Sequence, residues 1–161
     1  ITTILIFIYW YLNNTLAKKI LTKEKNFKFF YFGILSGILL AIHVYFLGTN
    51  IDNSLIKSLR RLIIVFFILF EMISQVLLVI NFRKNIKKFN YFINIKILNI
   101  KYCLIGLLVL STILILFILS IYDLTSSFDY IIEWNYFQVL LFFYLLSSLL
   151  WKNLILNPSS S

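Results

Sequence analysis

One stretch constrains the fold more than any other, the apolar run from Leu62 to Ile80. A helix needs about 20 apolar residues to cross the ~30 Å hydrocarbon core of a bilayer, and this run has that length. Further apolar runs occupy residues 29–48, 102–121 and 134–151, and a shorter one occupies residues 1–12. The sequence therefore predicts an all-α fold, a polytopic transmembrane helix bundle with four complete spans and a partial N-terminal span.

Composition supports this class of protein, because 61% of the residues are hydrophobic and only 13% are charged. In soluble domains about a quarter of the residues are charged. We expect residues 1–156 to form a single transmembrane domain. Residues 157–161 are predicted to be a disordered tail, since they are small or polar and contain proline.

The net charge of +9 is concentrated in alternate connections between the apolar runs. Basic residues gather in residues 13–28 and 82–101, whereas residues 49–59 and 122–133 carry few of them. The positive-inside rule then predicts that the two basic connections lie on the matrix or cytoplasmic side. Aromatic residues lie within the spans and not among the lysines, so we expect no nucleic-acid partner.

The basic connection at residues 82–101 also contains regularly spaced apolar residues, namely Ile86, Phe89, Ile93 and Ile97. Their near-helical spacing predicts an amphipathic segment on the membrane surface, with its lysines facing anionic headgroups. A solvated basic loop is the alternative interpretation.

Polar residues interrupt the most apolar span. Glu71 lies at its centre, and a charged side chain there costs roughly 2.5–3.5 kcal/mol, so it is expected to face the interior of a bundle. Because of helical spacing, Ser74 and Gln75 lie near Glu71, and Arg60 lies on about the same face. The predicted buried polar seam comprises Glu71, Ser74, Gln75, His43, Arg60 and Arg61.

Three interpretations of this seam remain open. The first interpretation is a packing device, in which hydrogen bonds between helices or to a partner subunit fix the arrangement. It is alternatively a proton, ion or quinone site at Glu71. The third interpretation is a lipid-active membrane enzyme in which Glu71 or His43 is the acid or base.

Small residues form a stripe in the second span, where Gly33, Gly37 and Ala41 are spaced by four. Such a stripe lets another helix approach closely, and packing within the chain is favoured over a dimer interface. Upstream, Tyr9, Trp10 and Tyr11 are predicted to form an aromatic belt where the first span leaves the membrane.

Familiar catalytic and cofactor sites are not supported by the residues present. The chain has one histidine and one cysteine, so it can supply neither a bis-histidine haem nor a zinc cluster by itself. No HExxH, GxSxG, Walker or GxGxxG pattern occurs. We predict no catalytic residues, no metal site and no required cofactor.

The sequence predicts a non-catalytic integral membrane subunit of a larger, energy-transducing complex of respiratory type. Its expected partners are the lipid bilayer and other membrane subunits, in the mitochondrial inner membrane or the bacterial cytoplasmic membrane. Abundant Ile, Phe, Asn and Lys indicate an AT-rich genome. The alternatives are a proton-, ion- or quinone-handling membrane protein, or a small lipid-active membrane enzyme, built around Glu71 and His43.

Overall fold

The computed structural model describes residues 2–22, 26–47, 54–121 and 126–152, and every regular element in them is helical. The helices are α1 (Thr2–Leu21), α2 (Lys28–Leu47), α3 (Ser54–Lys84), α4 (Ile86–Phe89), α5 (Ile95–Ile121) and α6 (Ser126–Leu150). The predicted all-α fold is confirmed. The predicted tail at residues 157–161 lies outside the described residues.

Two helical segments in the described part of the chain are long and apolar enough to cross a membrane, Lys28–Phe46 and Ser58–Lys84. They correspond to the predicted spans at residues 29–48 and 62–80. A shorter apolar helical segment, Gln138–Leu150, lies within the predicted span at residues 134–151.

The helices extend beyond the apolar runs that predicted them. α1 continues to Leu21, although the sequence places a loop from residue 13 onwards. Its polar residues bond to their own helix, because Asn13 Nδ2 donates to Tyr9 O at 2.9 Å and Thr15 Oγ1 donates to Tyr11 O at 2.9 Å. The end of the apolar stretch is therefore not the end of the helix, and Lys18 and Lys19 belong to its last turn, since lysine is a good helix former.

The end of α1 and the start of α2 are fixed by local chemistry. Thr22 follows α1 with a φ of 51°, the left-handed conformation that commonly terminates helices. Asn14 is buried and joins the two helices, since its Nδ2 donates to Asn26 Oδ1 at 2.9 Å and its Oδ1 accepts from Phe27 N at 3.2 Å. A polar side chain inside a predicted basic loop thus determines where α2 begins.

The chain divides into two compact units, Ile1–Leu78 and Val79–Ser161. In the first unit α1 packs along α2, and α3 adds side-chain contacts to both. In the second unit α5 packs on α6. The ring of Trp151 there lies edge-on to Phe82 and Phe89, at centroid distances of 5.4 and 6.4 Å.

Candidate functional site

The candidate site is built where α1 lies close to α2. Gly33 has no side chain, and the indole of Trp10 occupies that space: a Cβ on Gly33 would lie 2.3 Å from the indole ring carbons. One turn along, a Cβ on Gly37 would lie 2.6 Å from a ring carbon of Phe7. The two glycines therefore admit two aromatic rings of the same chain, which brings Trp10 to the middle of the unit.

α3 meets α2 in an antiparallel arrangement. Three pairs define the register: His43 with Arg60, Ser36 with Glu71, and Phe29 with Ser74. Each step towards the N-terminus of α2 corresponds to a step towards the C-terminus of α3. This register brings the central glutamate of α3 to the level of Ser36.

Glu71 is fully buried and accepts hydrogen bonds from three helices. Trp10 Nε1 of α1 donates to Oε2 at 3.1 Å, and Ser36 Oγ of α2 donates to the same oxygen at 2.5 Å. Gln75 Nε2, one turn along α3, donates to Oε1 at 3.2 Å. Both carboxyl oxygens therefore have partners, which offsets the cost of burying this group.

A second layer of hydrogen bonds surrounds Glu71. Tyr9 of α1 donates its hydroxyl proton to Gln75 Oε1 at 3.3 Å, so Gln75 joins α1 to the carboxylate. Ser74 donates to the backbone carbonyl of Phe29 in α2. We call the six side chains that form these two layers the Glu71 cluster: Tyr9, Trp10, Ser36, Glu71, Ser74 and Gln75.

The hydroxyl of Ser36 lies between two hydrogen-bond acceptors, and this position bears on the protonation state of Glu71. Its oxygen lies 2.8 Å from Gly33 O and 2.5 Å from Glu71 Oε2, both of which are acceptors. A hydroxyl has one proton to donate. When that proton goes to Gly33 O, a proton on Glu71 can complete the second contact. The arrangement therefore accommodates a carboxylate or a carboxylic acid.

The structure brings together only part of the predicted polar seam. Glu71, Ser74 and Gln75 lie in the cluster, whereas His43 Nδ1 lies 3.3 Å from the backbone oxygen of Arg60. Arg60 is eleven residues before Glu71, which corresponds to about 16 Å along the helix. The structure therefore does not bring His43 to Glu71.

Apolar side chains separate the two ends of that seam. Ile63 and Phe67 are buried on α3 between Arg60 and Glu71, because they lie one and two turns beyond Arg60 on its face. Arg61 is exposed. Along the buried face of α3 the polar residues are thus confined to the cluster.

Two sequence assignments change at this site. Trp10, which was expected in an interfacial belt, is fully buried, whereas its neighbour Tyr11 is exposed. Ala41, the third member of the small-residue stripe, is exposed, so it does not share the contacts of Gly33 and Gly37. The sequence contains one signal for the position of Trp10, which is the spacing of Gly33 four residues before Gly37. Glycines at this spacing leave room for a large neighbouring side chain or a closely packed backbone.

The sequence pattern also does not predict that a lysine in the second unit is buried. Lys101 belongs to a predicted basic connection, yet its side chain is fully buried between α5 and α6. Its Nζ donates to Ser147 Oγ and, at 3.4 Å, to the backbone oxygen of Phe143. The available signal is the pair Ser147 and Ser148, which interrupts a largely apolar part of α6.

Among the residues that the structure describes, no group of three or more His, Cys, Asp or Glu side chains could hold a metal ion. Comparisons with protein-family models, with curated proteins and with solved structures find no match for this chain. The functional interpretation therefore depends on the geometry of the Glu71 cluster and on the apolar helices around it.

Proposed function

We propose that the chain is a non-catalytic integral membrane subunit of a larger, energy-transducing membrane complex, in which the Glu71 cluster fixes the helix packing. One observation carries the packing role: both oxygens of Glu71 accept hydrogen bonds, and the donors come from three helices. A group held in this way specifies one arrangement of the helices, since a displaced helix leaves a buried polar atom without a partner.

Exposed apolar side chains support the membrane placement. On α2 the residues Tyr31, Leu35 and Ile38 are exposed, and on α3 Leu62, Val65 and Leu69 are exposed. Large apolar faces of this kind on two long helices suit contact with lipid chains or with other membrane subunits. The AT-rich composition supports the energy-transducing assignment by association with organelle genomes.

The four-span arrangement is part of this proposal. α5 and α6 contain 27 and 25 residues, which correspond to about 40 and 37 Å of helix. Both lengths exceed the ~30 Å hydrocarbon core. In this arrangement residues 13–28 and 82–101 lie on the matrix or cytoplasmic side.

Single cysteines test the arrangement, because Cys103 is the only native one and Cys103→Ser removes the background. Lys19→Cys and Lys88→Cys report the two basic connections, and both positions are exposed. A membrane-impermeant maleimide should label both from the same side of sealed vesicles. Labelling from opposite sides contradicts the four-span proposal.

The subunit hypothesis is tested by purification from its native membrane in mild detergent. We expect the chain to migrate with other membrane polypeptides. Isolation as a stable monomer with its own turnover overturns the hypothesis. A Glu71→Leu variant should lose this association together with its folded state, whereas Glu71→Gln should retain both.

A second candidate function is a proton-binding site at Glu71, and the position of Ser36 between two acceptors favours it. Infrared difference spectra recorded across a pH step test this candidate. A carboxylic-acid C=O band that is absent in Glu71→Gln and present in Glu24→Gln supports proton binding. An unchanged spectrum in Glu71→Gln excludes it.

A further inference from the structure

The second unit carries a concentration of exposed positive charge that the packing role of Glu71 does not use. We call it the basic collar, and its members are Arg83, Lys84, Lys87, Lys88 and Lys96, all of them exposed. The sequence contains no aspartate or glutamate between Glu71 and Asp123. The charge of the collar is therefore not neutralised by acidic residues of its own segment.

The backbone around the collar is held by hydrogen bonds to the end of α6. Asn94 N donates to Leu150 O at 2.8 Å, and Lys152 N donates to Phe92 O at 2.8 Å. These bonds flank an antiparallel bridge between Ile93 and Trp151. Non-helical backbone needs such partners wherever a membrane excludes water, because hydrocarbon offers none.

Buried aromatic rings also hold this region in place. Phe82 at the end of α3 and Phe89 in α4 are fully buried and lie 4.6 Å apart between ring centroids. Trp151 contacts both rings. The short helix α4 therefore buries Phe89 while Lys87 and Lys88 remain exposed. This division between an apolar and a basic side is what a segment at a membrane surface needs.

Two members of the collar, Arg83 and Lys84, lie on α3 where a membrane span would end. The apolar segment of α3 is followed by Arg83 and Lys84 in its last turn. Tyr91 and Tyr102 are exposed in the segments that follow, and tyrosine is enriched at the level of lipid headgroups. The guanidinium of Arg83 lies 4.2 Å from the ring centroid of Tyr102, which holds this charge in place.

We propose that the basic collar binds the phosphate groups of anionic phospholipids at the membrane surface. Arginine and lysine recognise phosphate by charge and hydrogen bonds, and Arg83 offers a planar fork suited to two phosphate oxygens. This inference rests on the membrane placement proposed above, but not on membership of a complex or on Glu71. It assigns the collar a lipid partner in addition to any protein partner.

Cys103 supplies the reporter for a test with the full chain. It is exposed, it is the only cysteine, and it follows Tyr102 directly. A fluorophore on Cys103 serves as the energy-transfer donor in vesicles that contain traces of headgroup-labelled phosphatidylglycerol or phosphatidylcholine as acceptor. We expect stronger transfer to phosphatidylglycerol, and this preference should weaken as salt is raised, because screening weakens charge attraction.

Matched charge removal identifies the residues involved. Lys87→Gln/Lys88→Gln should lower the apparent affinity for phosphatidylglycerol about tenfold or more, given a several-fold contribution from each basic residue near an anionic surface. Arg60→Gln/Arg61→Gln removes the same charge near the start of α3, which the proposed four-span arrangement places on the other side of the membrane, and should change the affinity less than twofold. If the first pair does not yield folded protein by circular dichroism, Lys84→Gln/Lys96→Gln replaces it with the same expected loss.

Three results overturn the proposal: equal transfer to both lipids, equal losses in the two pairs of variants, or displacement of the lipid by millimolar glycerol phosphate. The last result identifies a site for soluble phosphates. Co-purification with other subunits should survive the loss of lysines 87 and 88. A monomer that retains the lipid preference contradicts the subunit hypothesis alone, so the two failures are distinguishable.

Discussion

The indole of Trp10 lies against the bare backbone of Gly33, and its Nε1 donates to Glu71 at 3.1 Å. The close approach and the hydrogen bond depend on each other, because only a helix without a side chain at position 33 lets the ring reach α3. One aromatic residue of α1 thereby joins α2 and α3. The same residue, Trp10, therefore packs α1 against α2 and donates a hydrogen bond to the buried Glu71.

We predict that Gly33→Ala destabilises the first unit. Its Cβ would lie 2.3 Å from the Trp10 ring, so the ring or the helix must move, at a cost of about 1–3 kcal/mol. The control is Gly106→Ala in α5, where no heavy atom of the described residues, apart from the neighbouring backbone of α5 itself, lies within 4 Å of the new Cβ. There alanine should be neutral or stabilise the helix by up to about 1 kcal/mol. Thermal unfolding in detergent measures both, and equal shifts contradict the contact.

Trp10→Phe tests the hydrogen bond separately from the ring. Phenylalanine keeps an aromatic ring beside Gly33 but removes the donor to Glu71, and we expect a loss of about 1–3 kcal/mol, part of it from the smaller ring. Tyr11→Phe, at the exposed neighbouring position, should change stability by less than about 0.5 kcal/mol. Denaturant titration of the purified protein checks both values. A loss in Tyr11→Phe as large as that in Trp10→Phe would argue against a specific role for the indole.

Glu71→Gln should be tolerated far better than Glu71→Leu. A glutamine at position 71 can donate to Gln75 after the amide of Gln75 rotates, and its oxygen still accepts from Trp10 and Ser36. The expected change is within about 1.5 kcal/mol. Leucine removes the acceptor of both the Trp10 N–H group and the buried Gln75 amide. Each buried donor without an acceptor costs about 1–3 kcal/mol, so the summed loss approaches the marginal stability of a folded domain.

The yield of folded protein and the unfolding midpoint compare these two substitutions at Glu71. Similar losses for glutamine and leucine would show that the negative charge itself is required. Tolerance of both would remove Glu71 from the packing role.

In the second unit, Ser147→Ala should destabilise the contact between α5 and α6. It removes a hydrogen-bond acceptor of the buried Lys101 ammonium, and leaving part of a charged group unsatisfied costs about 1–3 kcal/mol. Ser148→Ala is the matched control, because Ser148 is exposed and bonds only to Leu145 O of its own helix among the contacts described. Hydrogen exchange of α6 amides measures the difference, and identical exchange in both variants contradicts the role of Ser147.

The ends of α1 and α3 show why the distribution of basic residues predicts the loop positions only in part. Lys18 and Lys19 lie in the last turn of α1, and Arg83 and Lys84 lie in the last turn of α3. Basic residues favour a helix C-terminus because of the helix dipole, so a charged segment can continue a helix that the apolar pattern alone would end. Predictions based on hydropathy therefore placed the loops several residues too early.

Three properties are readable from the sequence: the helical class, the position of the two long apolar helices and the presence of a polar group at the centre of α3. These properties depend on local composition and periodicity, which are readable along one chain. The tertiary structure alone decided that Glu71 is joined to Trp10 and Ser36 and not to His43, and that Lys101 is buried while Lys87 and Lys88 are exposed. Such pairings depend on the register between helices that are distant in sequence, which no pattern within a single helix specifies: in the first unit the contact of Trp10 with Gly33 helps to set it, and in the second unit the packing of α5 on α6 does.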